Sequence, residues 1–356
     1  MRKVLLSCSL VVALLLSLAV MVHDADADAL LFPYVVVSDN VTTMISVVNH
    51  DTNGTGQLHY AYFYKLDPND RAQECEEGDF WRESSEEDVV AFDVGGIYGS
   101  ATGGVLFGDP GAIDPTTANA GYTGPFDVLG ALAPTRAFLL VDNGQVNDAE
   151  LYGEAMLFDY ALGAAWGYRA YNSLDTSALN PAFGNAQEVQ GEVLNWFEAA
   201  PLHLLPLSEF QTLFFVTPVG TNQDAGNKNV VFYLFDVDPA SGQNLVAWDR
   251  DENPISGYVE VSITCVGAVS ADELMTTMAY NHLVDTGGWT YANTWLGSGA
   301  GAVADAVVFK LEYNLGSTLN GEPIVDTLNT AVWLRDNANW TGAFGSRVGA
   351  GGIDGF

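Results

Sequence analysis

The chain has 356 residues, of which 12 are basic and 45 acidic, for a formal net charge of −33. A field of that sign, with no basic stripe to interrupt it, repels nucleic acid and anionic membrane surfaces and excludes nucleic-acid binding. Hydrophobic residues make up 48% and charged residues only 16%, so the chain is too apolar for disorder and the acidity belongs on a folded surface.

The order of features in residues 1–29 is that of a secretory signal peptide. Arg2 and Lys3 supply a basic start, residues 4–22 an apolar run, and His23-Asp24-Ala25-Asp26-Ala27-Asp28-Ala29 overlapping Ala-x-Ala sites. Cleavage near Ala29 is expected, and with it a secreted, extracellular or cell-surface location. The apolar run is long enough for an uncleaved anchor, but aspartates rather than a basic stop follow it. Cys8 lies near the start of the apolar run, where a lipid-attachment cysteine would follow it. Loss of residues 1–29 takes two of the 12 basic and three of the 45 acidic residues, leaving a formal charge of −32. Only Lys65, Lys228 and Lys310 remain as lysines. Such a surface suits salty or divalent-rich surroundings, where screening softens self-repulsion.

From residue 30 the apolar pattern has period two and comes in short runs. Strands are expected at 31–37, 42–48 and 57–65, with Asn53-Gly54 as a turn between the last two. Residues 66–88 read as acidic and irregular, 88–94 as strand, and the Gly/Pro-rich stretch 95–135 as mostly loop. Strands at 137–142, 150–159 and 164–171 follow, the last two as a hairpin. In the second half, strands are expected at 211–216, 229–236, 245–248, 257–266, 306–313 and 327–334. Helices are expected at 188–197 and at 271–282, the second opened by a capping box of Ser270 and Glu273. The fold class is mainly β: an antiparallel sandwich in the immunoglobulin-like or jelly-roll style, with a few short helices. The stretch 172–185 is the best boundary between a 30–175 and a 176–356 region, or a soft spot within one large sandwich.

Several chemistries are missing from the sequence. His50, His59, His203 and His282 never fall at His-x-x-x-His spacing. Nucleophile-elbow, phosphate-loop and dinucleotide-binding signatures are absent, as is the Cys-x-x-Cys-His of covalent haem. Cys75 and Cys265 remain after export and are free to form a disulfide, but two cysteines without neighbouring histidines do not make a zinc site.

Three sets of residues carry candidate chemistry. Glu154 and Asp159, in the apolar hairpin, are a carboxylate pair for glycoside hydrolysis. Asp236, Asp238, Asp249, Asp251 and Glu252 cluster at the ends of neighbouring strands, and Asp142, Asn143, Asn147 and Asp148 fill another turn. Such oxygen donors suit structural calcium, although neither cluster has EF-hand spacing. Trp289, Tyr291, Trp295 and Trp340, read as lying in polar loops beside Asn293, Asp336 and Asn339, suit stacking on sugar rings of a surface polysaccharide. Glycosylation sequons begin at Asn40, Asn53 and Asn339.

The segment 31–37, next to the expected new N-terminus, has the character of an exchangeable strand through which copies self-associate. Its Pro33 confines it to an edge or a strand start. The terminal SRVGAGGIDGF lacks the alternation of an outer-membrane barrel strand. The expectation is an exported, non-catalytic structural or adhesive protein, with a secreted carbohydrate-binding protein or glycoside hydrolase as the alternative.

Overall fold

The computed structural model describes residues 29–50, 56–85, 87–98, 103–106, 125–142, 151–161, 164–172, 200–218, 229–237, 245–295, 306–314, 318–319, 322–323 and 326–334. Residues 1–28 of the expected signal segment, the helix at 188–197, the stretch 173–185, Asn53 and Asn339 lie outside the described residues.

The chain is mainly β and its sheets are antiparallel. Its first half supplies β1 (Ala29–Val37), β2 (Val41–Asn49), β3 (Gly56–Lys65), β4 (Glu76–Ser84), β5 (Asp88–Asp93), β6 (Thr135–Asp142), β7 (Leu151–Asp159), β8 (Ala164–Arg169) and β9 (Tyr171–Asn172). These form one sheet in the order β4-β3-β6-β1-β9 and a second in the order β5-β2-β7-β8. The alternation read from the sequence decides which residues meet between them. Tyr60, Tyr62 and Phe80 from the first sheet join Phe92 from the second and Phe126 from a loop, all buried. Tyr60 stands edge-on to Phe126 at 5.0 Å and Phe92 stacks on Phe126 at 4.3 Å; such pairs add about 0.5–1.5 kcal/mol each beyond the area they bury.

The second half supplies β10 (Ala200–Leu204), β11 (Gln211–Pro218), β12 (Asn229–Leu234), β13 (Asp236–Val237), β14 (Leu245–Asp249), β15 (Pro254–Ser256), β16 (Val261–Thr264), β17 (Gly267–Ser270), helix α1 (Thr277–Leu283), β18 (Gly288–Trp295), β19 (Ala306–Asn314), β20 (Thr318–Leu319), β21 (Glu322–Pro323) and β22 (Asp326–Leu334). One sheet runs β13-β14-β18-β12-β16, with β10 added to β18 and β15 to β14; another runs β17-β11-β19-β22. Strand pairing among the described residues stays within each half of the chain.

The β11–β19 sheet is buried on both faces, which is why β11 reads as a near-continuous apolar run. Phe214, Val216 and Val308 pack toward the β18 sheet. Phe215, Phe309 and Leu311, on the opposite face, complete the core of the first half. Trp166 of β8 lies parallel to Phe215 at 5.6 Å, and Tyr34 of β1 stacks on Phe215 at 4.2 Å. Polar ties reinforce this apolar junction. Arg71 donates to the Ala268 carbonyl at 3.0 Å and to both Glu273 oxygens at 2.8 Å, and Thr264 N–H donates to the Arg71 carbonyl. Cys75 and Cys265 form a disulfide across 190 positions, with Cα atoms 5.3 Å apart.

Four local expectations need correction. Residues 76–84 are a strand rather than an irregular stretch. In EEGDFWRES the inward positions are Phe80, Arg82 and Ser84, so two polar residues on the buried face hide the alternation. The expected strand 257–266 is a strand only at Val261–Thr264, with Tyr258 in an isolated bridge, and it ends where Cys265 turns the chain in the left-handed region at φ 65°. The expected helix 271–282 is a 3₁₀ turn at Ala271–Leu274 followed by α1. Between them Met275 is extended and bridges Tyr258, with Thr276 N–H donating to the Gly257 carbonyl at 2.7 Å. Gly257 is required there: its φ is +123° and a Cβ would fall 2.3 Å from Thr276 Oγ1. The segment holding Trp289, Tyr291 and Trp295, read as polar loop, is β18, in the interior of its sheet.

Candidate functional site

The sheet around β18 positions the aromatic residues. Along β18, Thr290 and Ala292 are buried while Trp289 is 37% exposed, so the odd positions face outward. Trp248 of β14 pairs with Trp289 across the ladder, and the two indoles stack at 4.1 Å with an interplanar angle of 9°. Tyr291 meets Trp289 and Trp248 edge-on at 5.5 and 6.2 Å. The structure thus brings together Trp289 and Tyr291 and adds Trp248, which the sequence reading placed only in a strand. Trp295 is the last residue of β18 by its backbone, and Trp340 lies outside the described residues. Each indole of the stacked pair already has one face covered by the other, so a sugar ring has only their outer faces and edges to meet.

At one end of this row β14 turns into the acidic loop. Asp249 Oδ1 accepts from the backbone N–H groups of Asp251 and Asn253, both at 2.9 Å, and Asn253 Nδ2 donates to Oδ2 at 2.9 Å. The Asn253 side chain, then its backbone N–H, holds the Asp249 carboxyl below its ordinary range. Asp249 therefore organises its own turn. Asp236 lies on β13 by its backbone, and Asp238, Asn143, Asn147 and Asp148 lie outside the described residues. Among the described residues no three His, Cys, Asp or Glu side chains converge as a metal site.

The carboxylates of β7 go to different places. Glu154 faces out beside Arg169 at 3.8 Å, both 70% exposed. Asp159, five positions on, belongs to the opposite strand face. It ends the strand at a cavity between the two halves.

That cavity, of about 330 Å³, has polar as well as apolar walls. Its floor is Tyr34, Trp166 and Phe215, all buried; Asn69 and Pro134, both exposed, lie at its rim. Arg136 lines it from β6. One guanidinium nitrogen, Nη1, donates to the Pro68 carbonyl, and the side chain also bonds the Tyr34 hydroxyl. Arg136 Nε is buried and has no hydrogen-bond partner. Burial pushes the Tyr34 hydroxyl above its ordinary value, with Arg136 opposing.

No family model matches the chain, and no curated protein or solved structure is significantly similar to it.

Chemically, the two regions differ. The aromatic row is an open face suited to weak stacking, whereas the cavity has buried walls, one cationic and one anionic side chain, and the size of a small-molecule site. Arg136 was not singled out in the sequence. The available signal is an arginine at a strand position within the apolar run TRAFLLVD, in a chain poor in cations.

Proposed function

We propose that this is an exported, non-catalytic protein with a structural or adhesive role at the cell surface or outside the cell. The observation that supports it best is the Cys75–Cys265 disulfide, a bond that persists in oxidising compartments and is rare in reducing ones. It joins the first third of the chain to the last third beside the Arg71–Glu273 ion pair, as suits a subunit that must hold its halves together under load or outside the cell. The acidic surface fits the same setting. Self-association through β1 belongs to this reading. In a single copy β1 is buried, pairing with β6 and β9, and Pro33 sits at a bulge where pairing with β9 has ended. A neighbour's β1 could take the same place only by reproducing those contacts.

The test is cell fractionation with sequencing of the mature N-terminus, followed by electrophoresis with and without reductant. A start near Leu30 and a faster-migrating unreduced form are expected; an intact Met1 in a cytoplasmic fraction with free thiols overturns the proposal. Size-exclusion chromatography with light scattering tests the self-association part, which a strictly monomeric protein at all concentrations refutes.

A second reading, carbohydrate binding, is favoured by the outward row of Trp248, Trp289 and Tyr291. It predicts polysaccharide binding that Trp289→Ala removes while the melting midpoint stays within a few degrees of wild type. Retention of binding by a folded Trp289→Ala protein rejects this face as the site. Structural calcium at Asp236, Asp238, Asp249 and Asp251 remains a proposal tied to export. It is tested by calorimetric titration after EDTA treatment, where absence of both heat and a melting shift rejects it.

A further inference from the structure

We infer that the cavity between the two halves binds a small organic carboxylate, with its acid group on Arg136 and a one- or two-ring apolar body against Tyr34, Trp166 and Phe215. Three independent features of the cavity lead there.

The first is size. The volume of about 330 Å³ is roughly twice that of a 150 Å³ cavity able to hold benzene, so it accommodates two fused rings and a polar group. The second is the floor. Trp166 and Phe215 lie 3° from parallel at 5.6 Å, and Tyr34 stacks on Phe215. These rings are fixed by packing from β1, β8 and β11, so their exposed atoms form a rigid apolar wall that loses little entropy on binding. The third is charge. The Nη1 of Arg136 and its contact to Tyr34 hold the guanidinium in place. Arg136 is the only cationic side chain among the residues that line the cavity, and an anionic group placed there gains a charge-assisted hydrogen bond. Arginine is also the side chain whose planar fork matches a carboxylate.

Asp159 lines the same cavity and sets the sign of the control. An anionic ligand is repelled by this carboxylate, whereas a cationic ligand would need it. The site is separate from the aromatic row on β18 and does not depend on the structural or the sugar-binding reading. Where the rest of the molecule is strongly acidic, a single guanidinium inside a pocket selects for a compact anion that can reach it, rather than for a polyanion held at the surface.

The experiment is isothermal titration of the full mature protein with 2-naphthoate, and with 2-naphthamide as the neutral isostere. Naphthoate is expected to bind and naphthamide to bind at least roughly tenfold more weakly, the loss expected for removing a charge-assisted hydrogen bond. Arg136→Gln should weaken naphthoate by roughly tenfold or more and leave naphthamide unchanged. Arg136→Lys, which keeps charge without the fork, should fall between. Asp159→Asn should tighten naphthoate by roughly two- to fivefold, the scale of a partly exposed charge pair. Melting curves verify that each variant is folded. If Arg136→Gln does not fold, the naphthoate/naphthamide ratio and the direction of the Asp159→Asn effect decide the matter on their own. Absence of naphthoate binding, equal binding of the amide, or weaker binding in folded Asp159→Asn overturns the inference.

Discussion

Lys310 and Glu312 sit two positions apart on β19, and neither side chain reaches solvent. Lys310 Nζ is 2.9 Å from Glu312 Oε2 and also donates to the His203 carbonyl at 2.7 Å, while Glu312 Oε1 accepts from Leu205 N–H at 2.9 Å. The ion pair thus takes the place of a neighbouring strand along the edge of β10, supplying a donor for one backbone carbonyl and an acceptor for one amide. Removing Lys310 leaves the Glu312 carboxylate buried with its hydrogen-bond donors and the His203 imidazole 3.7 Å away, and removing Glu312 leaves the ammonium buried without its counter-charge. Lys310→Met or Glu312→Gln is expected to lower stability by about 3–5 kcal/mol, and the double variant Lys310→Met/Glu312→Leu by less than the sum of the two single losses. Urea denaturation of the three variants checks this; additive losses would show that the two side chains are not coupled. Lys65 is likewise fully buried, with Nζ donating to the Asp70 carbonyl at 2.7 Å. Desolvation lowers its pKa to about 8, with Asp70 opposing. In the unfolded chain its pKa returns to 10.5. From about pH 8 to 10.5 the unfolded state therefore holds a proton that the folded state has released. Stability should rise with pH across that window, and the destabilisation should be complete below it. Burial raises Tyr60 and Tyr62 above 10, which lowers stability only above that pH. Urea midpoints between pH 7.5 and 9.5 should accordingly climb more steeply in wild type than in Lys65→Met. Parallel profiles would remove Lys65 as the cause.

Elements show which features of the fold are local and which come from packing. The capping box is local. Glu273 Oε2 accepts from the Ser270 N–H and hydroxyl, both at 3.0 Å, and the Ser270 side chain caps the N3 backbone in return. Ser270→Ala is expected to destabilise by about 1 kcal/mol. Glu273→Ala should do more, since it also loses the two bonds from Arg71 that tie the halves together. The ordering of these two losses in chemical denaturation is the check, and a larger loss for Ser270→Ala would reverse this account. Ser270 and Glu273 announced the cap three residues apart, but nothing local announced that the helix would stop at Leu274. The break comes from Met275 pairing with Tyr258, a contact made by tertiary packing. The same division explains the strands. β1, β2, β3 and β7 bury alternate residues on at least one face and were legible from period two. β4 was not, because its buried face carries Arg82, whose guanidinium carbon lies 4.9 Å from the centre of the Phe126 ring. At the aromatic row, the residue types of Trp289 and Tyr291 were legible, but their strand and their partner Trp248 were not. Cross-strand neighbours lie 41 positions apart here and depend on a sheet order that no local pattern encodes. Arg136 was hidden for a related reason, since its cavity exists only where β6, β8 and β11 from both halves meet.

For the whole molecule, the disulfide and the surface charge act in opposite directions. Closing a loop across 190 positions contributes about 5 kcal/mol in the chain-entropy model. Opposing it, a net charge of −33 makes the compact state repel itself, because folding brings the acidic residues closer together than they are in the open chain. Basic residues are too few to neutralise that field, and two of the three lysines remaining after residue 29, Lys65 and Lys310, are buried with local partners. Screening shortens the range of surface repulsion from about 8 Å at physiological salt to about 3 Å at 1 M. It leaves pairs such as Lys310–Glu312 nearly untouched, since neither side chain is reached by solvent. The expected result is a higher melting midpoint in 1 M NaCl than in low salt. A slightly smaller salt gain is expected in a variant in which several exposed acidic positions, such as Glu76, Glu77 and Glu83 on β4, are replaced by Gln. Potassium chloride should act like sodium chloride if screening is the cause, whereas a gain specific to calcium would point to the acidic turn around Asp249 instead. A midpoint that does not rise with either monovalent salt would mean that self-repulsion is not what limits this fold, and the acidity would then be explained by solubility alone.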